Sequence, residues 1–271
     1  MTAAILQARM SSSRLPNKVL LPILGRPMLA RQVERIQRAK CVDRLIVATS
    51  TGSNDDPIAG LAADLDVSCY RGSLDDVLDR YYQAAKEASA DHVIRLTGDC
   101  PLADPDLIDR VFEFYLENQF DYASNARVPA FPDGMDVEVF SFKVLGQAWR
   151  EAVLPSHREH VTFFMIEQPK RFSLGDYNSG PDLSFLRWTV DNREDFDLVR
   201  RIYESLYPEN PEFTTADILA LLDREPALKT LNSKYVRNAG WETAFRKDRE
   251  WSSKSQCHVR SRTAEPRGPA A

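Results

Sequence analysis

Cysteine is scarce in this chain, and the four that occur, Cys41, Cys69, Cys100 and Cys257, are scattered. None forms a C-x-x-C pair, and no histidine cluster at zinc spacing accompanies them. Structural zinc is therefore disfavoured, and the thiols are expected to be reduced, in a cytoplasm, rather than paired as disulfides. No apolar run approaches the length that spans a membrane, and no basic-then-apolar leader opens the chain. Neither a membrane anchor nor an export signal is expected. Positive charge is not in excess either: 35 Lys and Arg stand against 40 Asp and Glu, a net −5, which argues against bulk binding of nucleic acid or of a membrane surface. Cations that matter must act locally. The Walker pattern G-x-x-x-x-G-K-[ST] is missing, which disfavours an ordinary P-loop ATPase, and there is no internal repeat.

What is present is an ordinary globular composition, 43% hydrophobic and 28% charged over 271 residues. That is enough for one large α/β domain, or for one domain and a small appendage. Strand-like runs at Ala3–Leu6, Arg44–Thr49, Val67–Tyr70 and His92–Leu96 alternate with helical spacing at Pro27–Ala39, Asp55–Leu65, Leu74–Ala88 and Pro105–Glu117. Such alternation predicts βαβ units, right-handed crossovers and a mostly parallel sheet, with ligands beyond the C-terminal strand ends. From Asp121 the pattern changes. Strands are predicted at Asp121–Ser124, Val137–Phe142, Arg171–Leu174 and Leu183–Val190, and helices at Lys143–Ala152, Ser156–Glu167, Arg193–Tyr207 and Thr215–Leu222. Residues 126–186 read as a β-rich excursion that shapes a pocket. The main domain is expected to end near 231, followed by a short extension over 232–251. Residues 252–271, rich in Ser, Arg and Pro, read as a disordered tail.

The run Ile5-Leu-Gln-Ala-Arg-Met-Ser-Ser-Ser-Arg-Leu-Pro-Asn-Lys18 follows the first strand with Arg9, Arg14 and Lys18 spread through a Ser-rich loop. Backbone N–H groups, Ser hydroxyls and these cations together suit a polyphosphate, with Arg offering a planar fork and Lys a mobile point charge. The same letters also describe a solvated basic loop. Two apolar runs end in carboxylates. Val93–Leu96 leads through Thr97 and Gly98 to Asp99, and Trp188-Thr-Val leads to Asp191. Asp at a strand's C-terminal edge beside a phosphate loop is placed to hold Mg²⁺ through oxygen. The bland readings are a turn cap for Asp99 and, for Asp191, a helix N-cap completed by Glu194. Ser73 reads as an N-cap, with Asp75 and Asp76 at the positive end of the following helix. Asp136 and Glu138 share a strand face, and His157 and His160 share a helix side that starts at Ser156 as N-cap.

Ala8-Arg9-x-x-Ser12-x-Arg14-Leu15-Pro16-x-Lys18, Gly25-Arg26-Pro27-Met28, Gly98-Asp99-Cys100-Pro101 and Val190-Asp191 together resemble the signatures of sugar-acid cytidylyltransferases. The branch most similar is the one named after spore coat polysaccharide biosynthesis protein F. Cys100 stands where that family commonly has an acid. The resemblance implies a three-layer α/β fold of the nucleotide-diphospho-sugar transferase, Rossmann-like type. It implies transfer of CMP from CTP to an acidic sugar or related small acceptor, with Mg²⁺ held by Asp99 and Asp191. Ala8, Arg9, Ser12, Arg14, Lys18, Arg71, Ser73 and Thr97 would bind the nucleotide. Asp136, Glu138, Arg158 and His160 would meet the acceptor, and a homodimer would form through the excursion. The alternative is a nucleotide-sugar-dependent glycosyltransferase using Asp104-Pro105-Asp106 as its D-x-D, although acids are favoured at a helix start in any case.

Overall fold

The computed structural model describes residues 1–237 and 241–262. Its strands, in chain order, are β1 (Thr2–Gln7), β2 (Pro22–Ile23), β3 (Arg26–Pro27), β4 (Arg44–Ser50), β5 (Ser68–Gly72), β6 (His92–Thr97), β7 (Tyr122–Ser124), β8 (Glu138–Ser141) and β9 (Leu174–Asp176). Its helices are α1 (Met28–Ile36), α2 (Asp56–Asp64), α3 (Val77–Glu87), α4 (Pro105–Glu117), α5 (Phe142–Glu151), α6 (Pro155–His160), α7 (Phe163–Ile166), α8 (Arg193–Leu206), α9 (Thr215–Arg224) and α10 (Trp241–Arg262). Seven strands form one sheet in the order β5-β4-β1-β6-β8-β7-β9, while β2 and β3 make a separate small ladder. Within the seven, β8 alone runs against its neighbours β6 and β7; the other pairings are parallel.

Alternation along the central strands explains the three layers. In β1, Ala4 and Leu6 face the core shared with α1, α4 and α8, whereas Ala3 and Ile5 face the core shared with α3 and α5. A strand covered on both faces reads as a largely apolar run, which is why β1, β4 and, despite Arg95, β6 are legible in the sequence. Pairing persists to the strand ends: Gly98 N–H donates to Gln7 O at 2.7 Å. A Cβ on Gly98 would lie 2.9 Å from that same oxygen, so only glycine lets the two chain segments approach this closely.

Several expectations need correction. Residues 126–186, expected as a β-rich excursion, hold two short strands, β8 and β9, that pair into the main sheet, together with the helices α5, α6 and α7. Short strands of three or four residues look the same in sequence whether they pair locally or with a distant sheet. The predicted helix over 156–167 breaks at Val161, whose φ of 62° is unusual for a β-branched residue. Segment 183–190 is no strand. It makes one bridge, Asp133 to Arg187, and the N–H groups of Trp188 and Thr189 both donate to Asp133 O. Its apolar side chains, Leu186, Trp188 and Val190, are buried all the same, which is the pattern a buried strand would also produce. α10 continues to Arg262, past the predicted start of disorder at Ser252, with neither Gly nor Pro between Trp241 and Arg262 to stop it. Residues 263–271 of that expected tail lie outside the described residues.

Gly134 seats the 183–190 segment. Its φ is +104°, and a Cβ there would fall 2.3 Å from Thr189 N. Gly134→Ala is expected to cost about 1–3 kcal/mol through backbone strain alone, with more from the collision. Denaturant unfolding of the variant checks this, with Gly60→Ala, which meets nothing within 4 Å, as the reference.

Candidate active site

β1 and β6 run side by side and release their chains at the same sheet edge. The loop after β1 carries Arg9, Arg14 and Lys18, and the turn after β6 carries Asp99. Val190 N–H donates to Asp99 O at 2.8 Å, and this bond brings Asp191 alongside. Lys18 Nζ then sits between the two acids, 3.1 Å from Asp99 Oδ2 and 2.9 Å from Asp191 Oδ1, and it also donates to Val190 O at 2.8 Å. Arg14 Nη2 reaches Asp191 Oδ1 at 2.8 Å, and Arg187 Nη2 reaches Asp191 Oδ2 at 2.9 Å. Burial works against the charge on Lys18, yet the Asp99 and Asp191 charges outweigh it and raise its pKa. For Asp99, burial likewise opposes ionisation, and the Lys18 charge with hydrogen bonds from Thr97 and Lys18 holds the carboxyl well below its usual range.

Two adjoining cavities meet at these acids. The loop-side cavity, about 320 Å³, is lined by Ala8, Arg9, Ser12, Arg14 and Lys18 among others. The adjoining cavity, about 290 Å³, is lined by Asp136, Glu138 and Arg95 among others. Arg14, Thr97, Asp99, His160 and Asp191 border both. The sequence thus points to part of each lining, and the remaining lining residues come together only in the fold. Arg71, Ser73 and Arg158 border neither. Arg71 is tied to Ser50 O, Gly52 O and Asp56, and Arg158 clasps Asp76 and donates to Trp149 O. Arg80 faces the loop-side cavity where Arg71 was expected. It is almost fully buried, donates to Ser73 O and leaves its Nε without a partner.

The capping roles also move. Asn192, not Asp191, caps α8, with Asp195 completing the box, so the Asp191 carboxylate is left to the cleft. Asp76 rather than Ser73 caps α3, and Leu154 rather than Ser156 precedes α6. Asp104 caps α4 by accepting from Leu107 N–H, and neither it nor Asp106 borders the two cavities. Its D-x-D letters are thus accounted for by helix capping. Cys100 is buried and its thiol is pushed up well above its usual pKa by burial and by Asp99.

Five arginines border the adjoining cavity, and each is already paired with a carboxylate. Arg14 holds Asp191, Arg95 holds Glu138, Arg127 holds Asp176, Arg187 holds Asp133, Asp191 and Asp195, and Arg237 holds Asp136. Glu138 also accepts from Tyr122 at 2.8 Å and Thr162 at 2.6 Å. Burial pushes the Asp136 carboxyl up to about 7, against the pull of Arg237. Burial also pushes His160 down to about 4, so its ring is neutral near pH 7. Sequence reasoning missed Arg187, Asp195 and Arg237. Arg187 carried a signal, a single charge inside the apolar run Leu186–Trp188, which must find a partner when buried.

Among the described residues, no group of three or more His, Cys, Asp or Glu is arranged to hold a metal. The donor set of Asp99 and Asp191 nevertheless fits a hard cation. Two carboxylate oxygens converge on one ammonium, and space beside them is open to further oxygen ligands.

A family model described as cytidylyltransferase matches residues 3–238. An uncharacterised protein of Methanocaldococcus jannaschii is 38% identical over 232 residues, covering 84% of this chain and 93% of its own. The spore coat polysaccharide biosynthesis protein SpsF of Bacillus subtilis is 30% identical over 242 residues, covering 83% of this chain and 95% of its own. A solved cytidylyltransferase from Leptospira borgpetersenii serovar Hardjo-bovis superposes with a TM-score of 0.82 at 31% identity, over 87% of this chain and 99% of that one. A solved CMP:2-keto-3-deoxy-manno-octonic acid synthetase complexed with CTP, 18% identical with a TM-score of 0.56 over 75% and 98%, shares the fold. The matched region takes in the whole cation loop and both converging carboxylates, and the chain belongs to the cytidylyltransferase family.

Proposed function

We propose that the protein transfers the cytidylyl group of CTP to a hydroxyl of an acidic sugar-type acceptor, releasing pyrophosphate, as a member of the spore-coat branch. The observation that carries this reading is the single Lys18 ammonium held by both Asp99 and Asp191 where the two cavities meet. With the triphosphate in the loop-side cavity and the acceptor in the adjoining one, the α-phosphorus lies beside the acids, open to in-line attack. Arg9, Arg14 and Lys18 oppose the charge growing on the departing β- and γ-phosphates, while Ser12 and the loop backbone donate hydrogen bonds. Positioning and electrostatics supply the rate, and no covalent intermediate is required of the protein. Asp99 and Asp191 are the residues to hold Mg²⁺, which when bound would neutralise phosphate oxygens. Arg71 and Ser73 have no part in this reading, since they border neither cavity.

An acidic acceptor must find a cation in a cavity whose arginines are all engaged. Arg237 is the one whose partner yields most readily, because Asp136 takes up a proton near pH 7. Asp133, Glu138 and Asp99 push in that direction and Arg237 against it. With Asp136 protonated, Arg237 keeps Phe131 O at 3.1 Å and a longer contact to Asp133 Oδ1 at 3.8 Å, and its Nη2 can turn to the acceptor's carboxylate. The reading includes a homodimer and a cytoplasmic setting for the scattered thiols, and a mass measurement in solution that returns a monomer would exclude the dimer.

Pyrophosphate release, measured with each of the four NTPs, Mg²⁺ and a panel of sugar acids, should appear with CTP and an acidic sugar; no release from any pairing sinks the reading. Arg14→Ala is expected to lower turnover on the order of tenfold to a thousandfold and to leave Tm nearly unchanged, its side chain being 47% exposed. Lys18→Ala should slow turnover likewise but also cost about 1–3 kcal/mol of stability, because it strands buried polar partners. Asp99→Asn and Asp191→Asn should each weaken Mg²⁺ dependence, the double variant costing less than the sum; strict additivity would mean that they share no cation.

The pH dependence has a definite sign. As pH rises through about 7, Asp136 ionises and reclaims Arg237, so the KM for an acidic acceptor should rise. Asp136→Asn should flatten that rise between pH 6 and 8 (roughly one unit either side of the transition), as read from acceptor KM profiles. A rise that persists in the variant assigns it to another group.

A further inference from the structure

The family match ends at residue 238, yet the chain returns to the cleft beyond it. α10 lays Trp241, Ala244, Phe245 and Asp248, the i, i+3, i+4, i+7 face of one helix, against α6 and α7. Trp241 meets the Phe163 ring edge-on at 5.2 Å between centroids, and Phe245 stacks on the same ring at 5.8 Å. Ala244 is buried, and Asp248 Oδ1 accepts from Ser156 N–H at 2.9 Å. The helix also borders the site: Thr243, Ala244 and Lys247 line the loop-side cavity, and Trp241 lines the adjoining one.

Lys247 Nζ lies 2.8 Å from Glu159 Oε2, and Glu159 itself borders the loop-side cavity. Burial opposes ionisation of Glu159, but the Lys247 contact, with smaller contributions from His160 and Arg9, outweighs it. Arg9 of the cation loop and Lys247 of α10 therefore act on one carboxylate at the wall of one cavity. The pair adds little to docking of the helix. Half of the Lys247 side chain is exposed, and an exposed pair contributes at most about 1 kcal/mol, whereas the aromatic contacts and the Asp248 bond already hold α10 in place.

We propose that α10 closes the triphosphate cavity and that Lys247 binds the phosphate chain of the nucleotide, exchanging Glu159 for phosphate oxygens. The proposal rests on the reading of that cavity as the triphosphate site. It adds Lys247, from sequence outside the matched family region, to Arg9, Arg14, Lys18 and Arg80, which border the same cavity. Such a charge strengthens ground-state binding of the nucleotide more than it favours the chemical step, so its loss should appear in affinity.

CTP binding to the full chain by calorimetry, with Mg²⁺ and without acceptor, tests it. Lys247→Met should raise Kd on the order of tenfold, as loss of one charge-assisted contact does, and should make binding less sensitive to salt; Lys247→Arg should retain most of the affinity. Glu159→Gln separates the two roles of Lys247. If Lys247 serves the phosphates, removing its competitor lowers Kd. If the pair only pins α10, Glu159→Gln raises Kd as much as Lys247→Met does and lowers Tm with it, and the proposal is overturned. An unchanged Kd in Lys247→Met, with Arg14→Ala still weakened, overturns the role of Lys247 and leaves the triphosphate reading standing. Absence of CTP binding by the unaltered protein overturns the triphosphate reading itself.

Discussion

One ammonium group ties three distant parts of the chain together. Lys18 Nζ, on the loop after β1, contacts Asp99 after β6 and both the carbonyl of Val190 and the carboxylate of Asp191. Two acids converging at a half-buried site repel each other, and without a cation between them one would have to take up a proton. Lys18 removes that repulsion, and Arg14 and Arg187 add two further contacts to Asp191. The cavity geometry follows from the Lys18 contact, because the loop-side and adjoining spaces share Asp99 and Asp191 as their common border.

A second layer of charge keeps Asp191 aimed at the cleft. Arg187 is buried and donates to Asp133, Asp191 and Asp195, and Asp195 in turn accepts from the backbone of Asp191 and Asn192 and from Asn232. A buried guanidinium is tolerated only with its donors matched to acceptors, and here the acceptors come from two separate segments, Asp133 and the stretch that carries Asp191 and Asp195. The network fixes segment 183–190 without giving it a strand ladder. It explains why an apolar run ending in Asp is not a strand in this chain yet still delivers its carboxylate to the sheet edge.

Much of the fold was legible for a simple reason. β1, β4 and β6 are buried on both faces and read as largely apolar runs, and α4 begins and ends where Pro105 and Glu117 suggest. Periodicity failed where two structures share one pattern. Leu183–Val190 buries the same side chains as a strand would, and helical spacing over 156–167 gives no sign of the left-handed Val161 that splits it. Capping letters were likewise ambiguous by one residue. Asp191 and Asn192 are both good N-caps, and the choice of Asn192 freed Asp191 for the cleft. The 241/244/245/248 face of α10 was not read from the sequence, where its fourth position is the charged Asp248, and spacing alone does not say which surface a helix covers.

By itself the amino-acid sequence determined the alternating α/β order, the cation loop and the two acidic chain ends, since these depend on local spacing and on residue chemistry. Only tertiary structure decided which charges meet. Arg71 and Arg158, plausible ligands by position, are drawn to Asp56 and Asp76, while Arg80, Arg187, Arg237 and Lys247 enter the cavity walls. A charged side chain several bonds long reaches any acceptor within its radius. Its partner is selected by the packing of elements that lie tens to hundreds of residues apart, and no local pattern in the chain records that selection.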